Sequence, residues 1–228
     1  MLITVPQLII FDCDGVLIDS EVIVSKVEAT ELTRIGHPIT PEETMLRFAG
    51  VPEKDMYLMV ETEMGKSLPD NFSKRIDASI KQAYATDLLP ISGVAETVQN
   101  LSIPYCVASS SVPDRLGLGL IQTELFGLFY PNIFSTVLVQ NGKPAPDLFL
   151  YAAGKMATHP DRCVVIEDSI AGVKAAVAAG MIALGFIGGS HCTAQLKDGL
   201  LGAGATYIFD HFNELPLILE KIRCVGEG

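Results

Sequence analysis

Two aspartates one residue apart, Asp12 and Asp14, close the apolar run "LIIF" at residues 8–11, and a third, Asp19, follows in "DGVLIDS". In extended backbone, residues i and i+2 leave from the same side, so Asp12 and Asp14 share a side and Cys13 takes the other. Gly15 then permits a tight turn away from the strand. Two carboxylates so close repel unless one is protonated or a cation stands between them. A hard divalent ion such as Mg²⁺ meets that need, because it takes oxygen ligands, one or two of them carboxylates, together with a substrate phosphate. A carboxylate can also attack as a nucleophile and form an aspartyl phosphate. The partners such chemistry requires stand farther along: Ser109 in "SSS" (109–111), Lys143 in "NGKPAPD" (141–147), and Glu167-Asp168 closing "VVIED" (164–168). Ser109 and Lys143 supply a donor and a positive charge for a phosphoryl group in transfer.

Each of these residues has a plainer reading. Asp14-Gly15 is a common turn pair. The serines suit a polar loop or a cap, with Ser111 or Asp114 starting the next helix. Lys143 suits a solvated surface, and Glu167-Asp168 a helix N-terminus. Their coincidence decides the matter. All four segments follow successive apolar strand-like runs, and open α/β sheets bind ligands beyond the carboxyl ends of their strands.

The elements that must position these side chains are legible from apolar periodicity. Residues 7–12, 103–109, 134–139, 162–168, 181–186 and 206–209 are short runs of nearly continuous apolarity, as expected of strands covered on both faces. Helical patterns lie between them. In "SIAGVKAAVAAG" (169–180), Ile170, Val173 and Val177 are expected to form the apolar stripe, with Lys174 pointing away, the many Ala and Gly residues permitting close packing on a sheet, and Gly180 as the stop. Strand and helix in alternation predict a Rossmann-like parallel α/β sheet with helices on both faces. Residues 19–87 interrupt the alternation. There Thr40, Pro41 and Glu43 form a capping-box signature, and Phe72, Ile76, Ile80 and Tyr84 recur at i+4. The expected organisation is a catalytic core of residues 1–18 and 88–228 with an all-helical cap of residues 19–87 inserted in it, since one crossover needs far fewer residues.

Composition narrows the function. An apolar share of 49% over 228 residues provides ample material for a core. A net charge of −11 without a basic stripe disfavours nucleic acid as a partner. No apolar run is long enough to span a bilayer and the start carries no basic leader, so no membrane association is expected. Five scattered cysteines without a pairing pattern suit reduced thiols and a cytoplasmic location, and four dispersed histidines give no zinc signature.

The segments "DCDGVLIDS" (12–20), "VASSS" (107–111), "GKPAPDLF" (142–149) and "VVIEDSIAGVKAAVAAGM" (164–181) resemble the four motifs of the haloacid dehalogenase-like superfamily of phosphohydrolases. The resemblance spans the whole chain, including a helical cap directly after the first motif. It implies that Asp12 is the nucleophile and that Asp14 is the general acid for the leaving alcohol, then the base for water. It implies Mg²⁺ held by Asp12, the backbone carbonyl of Asp14, Asp168 and Glu167, the last directly or through water. Ser109, Lys143 and the backbone N–H of Ser110 match phosphate-binding positions, and Asp19 and Ser20 match a hinge between core and cap.

The group it resembles includes phosphoglycolate phosphatases, sugar phosphatases and β-phosphoglucomutases. Dehalogenases proper and phosphonoacetaldehyde hydrolases lack an acid at the position of Asp14. The mutase alternative stays open, although Val24 stands where mutases carry a cap histidine and Glu53 where they carry an arginine beside a pair like Gly50-Val51. A phospho-aspartate signalling module is the rival from another class. Its domains are about half this length, and a group that hastens hydrolysis defeats a stored signal. "RFAGV" (47–51) is similar to a stretch of bacterial 6-phosphogluconate phosphatases. The expected partner is a small phosphorylated metabolite: a sugar phosphate, a sugar acid phosphate such as 6-phosphogluconate, or a phosphoglycolate-like acid. Arg47 and Lys54 are candidates to meet a second anionic group, and a monomer or weak homo-oligomer is expected.

Overall fold

The computed structural model describes residues 5–48 and 51–226. The chain divides into two compact units, one of Met1–Asp19 with Leu89–Gly228 and one of Ser20–Leu88. These borders lie one residue from the expected ones, so Asp19 falls with the α/β unit and Leu88 with the helical one.

Among the described residues the first unit carries six parallel strands: β1 (Leu8–Phe11), β2 (Tyr105–Ser109), β3 (Ile133–Ser135), β4 (Cys163–Glu167), β5 (Ile182–Phe186) and β6 (Tyr207–Phe209). Their spatial order is β3-β2-β1-β4-β5-β6. The winding therefore reverses between β1 and β4, which pair directly, with Phe11 opposite Ile166. A reversal of this kind opens a crevice at the carboxyl ends of the two strands. The backbone N–H of Asp12 still donates to the Ile166 carbonyl at 3.0 Å, so Asp12 leaves the sheet from a fixed position in that crevice.

Alternation explains why the strands read as unbroken apolar runs. Leu8 and Ile10 join a core with Leu148, Phe149 and Ala152 of the helix Asp147–Lys155 and with Val173 and Ala176 of the helix Ile170–Ala178. Phe11 meets Phe129 and Phe212 instead, with ring centroids 5.7 and 6.3 Å apart. Each fully buried side chain of this size contributes about 1.5–3 kcal/mol. Both faces are thus covered, and only the strand ends are left for polar work.

Two expectations need correction. The third run does not continue as a strand to 139: β3 ends at Ser135 and Thr136–Leu138 form a 3₁₀ turn. Ser135 caps it, its hydroxyl oxygen accepting from Val137 N at 3.4 Å, and Val137 and Leu138 are exposed. Nor does the helix Ile170–Ala178 bury the predicted stripe. Val173 is 0% exposed, but Ile170 and Val177 are 42% and 46% exposed, and the packed face runs through Gly172, Ala175 and Ala176. Small residues lie against the sheet because they let the helix approach closely. Ile170 and Val177 instead flank Gly199 and Gly204, beside the helix Ala194–Ala203.

Every regular element among the described residues of the second unit is a helix: Glu21–Arg34, Pro41–Phe48, Glu53–Met64 and Phe72–Asp87. The capping box forms as read, with Glu43 N donating to Thr40 Oγ1 at 3.1 Å and Thr40 N to Glu43 Oε2 at 2.9 Å. Phe72, Ile76, Ile80 and Tyr84 are all buried. Gly50, part of the pair compared with the mutases and of "RFAGV", lies outside the described residues together with Ala49.

Candidate active site

The carboxyl ends of β1, β2 and β4, with the loop after β3, bring the predicted residues together. Lys143 is the centre. Its Nζ donates to Asp12 Oδ1 at 2.5 Å, to Glu167 Oε1 at 2.6 Å and to the Ala108 carbonyl at 3.2 Å, and it stands 5.0 Å from the centre of the Phe149 ring. The predicted surface alternative for Lys143 therefore fails, because the ammonium is buried among acids. Burial alone would depress its pKa; the charges and hydrogen bonds of Asp12 and Glu167 prevail and raise it.

Asp12, Glu167 and Asp168 are all buried, and each offers an oxygen within 4.8 Å of the others. Burial pushes the Asp12 carboxyl well up; Lys143 opposes this, while Glu167, Asp168 and Asp14 add to it. The excess of acid over base is a physical signature of a site for a hard cation: oxygen donors only, converging, and short of positive charge. Glu167 is the most constrained member. Its Oε1 meets Lys143, and its Oε2 accepts from Ser169 N at 3.1 Å and Ser169 Oγ at 2.9 Å. The helix-terminus reading of Glu167 is thus partly right. A Cβ at Gly172 would stand 1.9 Å from the Glu167 carboxyl carbon, so glycine there lets the acid lie under the helix start.

Asp14 is held separately. Ser111 Oγ donates to its Oδ2 at 2.6 Å and Ser109 Oγ at 3.4 Å. Ser111 N donates to Ser109 Oγ at 3.0 Å, and Ser135 Oγ donates to the Ser111 carbonyl at 2.7 Å. Neither Ser111 nor Asp114 caps the following helix, Pro113–Gln122, whose cap position is Val112; the hydroxyl of Ser111 is spent on Asp14 instead. Ser110 is exposed beside these two. Cys13, between the two aspartates, is fully buried, and its thiol is pushed up by burial and then by Asp14 and Asp12.

The paired chain passages at the border of the α/β unit are tied by Asp19 N to the Leu89 carbonyl at 3.0 Å and Ile91 N to the Leu17 carbonyl at 2.9 Å. Asp19 Oδ1 accepts from Ser190 N at 3.0 Å and Ser190 Oγ at 2.8 Å. Ser20 is buried and precedes the helix Glu21–Arg34. In the helical unit, Arg47 is ion-paired with Glu63, whereas Lys54 lines an open cleft of ≈ 470 Å³ with Tyr57 and Ser73.

Two contributors were not singled out from the sequence. Ser111 lay within the quoted serine run, two residues beyond Ser109, and that spacing was its signal. His191 lies past the carboxyl end of β5, and "GGSH" (188–191) was the available sign. Its Nε2 stands 3.0 Å from Asp168 Oδ2.

With this geometry in place, known proteins give the assignment. The model of the haloacid dehalogenase-like hydrolases matches residues 9–186. The chain belongs to that family. It is 29% identical to the 6-phosphogluconate phosphatase of Escherichia coli over 211 residues, 92% of this chain and 93% of the relative. It is 35% identical to a phosphorylated carbohydrates phosphatase of Thermotoga maritima, over 87% of this chain and 92% of that one. Among solved structures, a conserved haloacid dehalogenase-like protein of unknown function from Agrobacterium tumefaciens superposes with a TM-score of 0.85 at 38% identity, covering 95% of this chain and 99% of the other. The predicted α/β class and enzyme family therefore hold. No helix among the described residues is long and apolar enough to cross a membrane.

Proposed function

We propose that the protein is a Mg²⁺-dependent phosphatase of small phosphomonoesters, acting through an aspartyl phosphate on Asp12. The observation that carries this reading is the convergence of Asp12, Glu167 and Asp168 within 4.8 Å, with Lys143 in contact with two of them and Asp14 tethered alongside. The donor set fits a hard cation, and Asp12, Asp168 and the Asp14 carbonyl would hold it, with Glu167 directly or through water. When bound, the ion would offset the acidic cluster and the charge of the phosphoryl group.

Lys143 and Ser109, with the backbone N–H of Ser110, hold the phosphoryl oxygens and keep phosphorus in line with Asp12. An Asp12 oxygen forms a bond to phosphorus as the bond to the ester oxygen breaks. Asp14, protonated at that moment, gives its proton to the departing alkoxide. Its carboxylate then takes a proton from water, which attacks phosphorus and releases phosphate from Asp12. Asp19 and Ser20 serve as hinge residues between the catalytic core and a helical cap that selects the substrate. The names of the relatives support a sugar phosphate or a sugar acid phosphate as substrate.

Phosphate release from a panel of metabolite phosphates with Mg²⁺, using Asp12→Asn as the blank, tests the reading. The expected result is turnover by the native chain only, fastest on sugar or sugar acid phosphates. Equal release by the blank overturns the site, and interconversion of hexose phosphates without free phosphate would replace the phosphatase with a mutase.

A further inference from the structure

The carboxyl end of β5 faces the same acidic cluster but has no part in the reaction above. The segment after Phe186 reads Ile-Gly-Gly-Ser-His-Cys, and its contacts run in two directions. Ser190 gives both its N–H and its hydroxyl to Asp19 Oδ1. His191, its side chain buried, approaches Asp168 Oδ2 through Nε2 at 3.0 Å. An ionised carboxylate only accepts, so Nε2 carries the hydrogen and donates it.

The backbone around the ring leaves little choice of position. A Cβ at Gly189 would lie 2.7 Å from the imidazole and 3.0 Å from the Gly15 carbonyl oxygen. A Cβ at Gly15, whose φ is +76°, would lie 1.8 Å from Asp168 Oδ2 and 2.8 Å from the His191 ring. The ring edge and the carboxylate therefore occupy space that two glycines leave open, one after β1 and one after β5. A side chain that served only to fill this space would not need a donor aimed at Asp168.

We infer that His191 is the positioning residue of Asp168: its Nε2–H fixes the rotation of that carboxylate so that it meets a divalent ion together with Asp12 and Glu167. The inference rests on the proposed metal reading of the cluster. Residues that orient metal ligands through a second hydrogen bond typically alter metal affinity by about 10–100-fold when removed. The side-chain contacts of His191 run to Asp168 and to its neighbour Cys192, whose Sγ lies 3.5 Å from Nε2, so its effect falls on how tightly the ion is held.

Isothermal titration of Mn²⁺ and Mg²⁺ into the native chain, His191→Phe and His191→Gln tests this. Phenylalanine keeps the ring volume between the two glycines and loses the donor, whereas glutamine keeps a donor. The expected result is metal binding weakened roughly 10–100-fold in His191→Phe and largely restored in His191→Gln. In turnover assays the metal concentration for half-maximal rate should rise with that weakening, while kcat at saturating metal changes much less. Melting curves in chelator, similar for all three chains, would exclude a mere folding defect. Unaltered metal affinity in a folded His191→Phe, or equal weakening in His191→Gln, overturns the role of His191 alone. A native chain that binds neither ion overturns the metal reading and this inference with it.

Discussion

Each unit of the molecule buries a carboxylate against cations, and the two solutions differ in their charge balance. In the helical unit Glu31, its side chain 4% exposed, is ion-paired with Arg75 and with Arg34, whose Nη1 lies 2.6 Å away. One acid meets two bases, and both arginines keep access to water, with 60% exposure for Arg34 and 31% for Arg75. In the α/β unit one lysine meets Asp12 and Glu167, with Asp168 and Asp14 beside them, all on strand ends. A buried acid met by two partly exposed bases can hold helices together without help. An acid-rich cluster costs folding free energy unless something positive arrives, and chains keep such costs at functional sites. The comparison separates a structural ion cluster from one built for a ligand.

Substitutions can break this contrast, beginning with the largest effect. Asp12→Asn should remove turnover by at least roughly 10⁴-fold, because nothing else can form the covalent bond; single-turnover phosphate release measures it. Asp14→Asn should lower kcat by about 10²–10⁴-fold, the usual scale for a lost general acid and base. Steady-state kinetics on an ester with an acidic leaving group sharpens the point, since such a substrate should recover part of that loss. Glu31→Ala should act in the opposite sense, costing about 1–3 kcal/mol of stability with little change in kcat. Its melting temperature should fall by about 2–4 °C for each kcal/mol.

The smallest effect concerns Asp12 without metal. Its carboxyl is raised above the ordinary range, so the folded state holds its proton more tightly than the unfolded chain does. The sign follows from linkage. Stability from this group is present at acid pH and is lost as pH rises through the raised folded value, so toward neutral pH Asp12 is a burden. Asp12→Asn in chelator should therefore melt about 2–4 °C higher than the native chain near pH 7 for each kcal/mol relieved. The gap should close at acid pH. Added Mg²⁺ should raise the native chain's melting temperature more than the variant's.

Much of this was legible in the sequence because strands covered on both faces read as short apolar runs between helical patterns, and because carboxylates and a lysine recurring after such runs point to one edge of the sheet. Asp12, Lys143, Glu167 and Asp168 could be grouped for that reason before any coordinates. The errors have local causes. Thr136–Leu138 looked like strand because Val137 and Leu138 are apolar, yet the hydroxyl of Ser135 accepts from the Val137 N–H and closes a tighter turn. The close packing that the Ala and Gly residues of the helix Ile170–Ala178 permit was legible, and Gly172, Ala175 and Ala176 carry it; the error was to place Ile170 and Val177 on the same face as Val173. His191 was missed because its role depends on β5 lying beside β4, a neighbour relation that strand order in sequence does not state. Ser111 was visible, but its plain role as a cap concealed the contact with Asp14.

The central claim is that Asp12 itself becomes phosphorylated, and locating the phosphoryl group tests it most directly. A ³²P-labelled sugar phosphate, mixed with the protein and quenched in acid within milliseconds, should leave label on the peptide containing Asp12. The label should vanish in Asp12→Asn and, in the native chain, chase to free phosphate. Steady phosphate release with no labelled protein at any quench time, and undiminished in Asp12→Asn, would contradict the account.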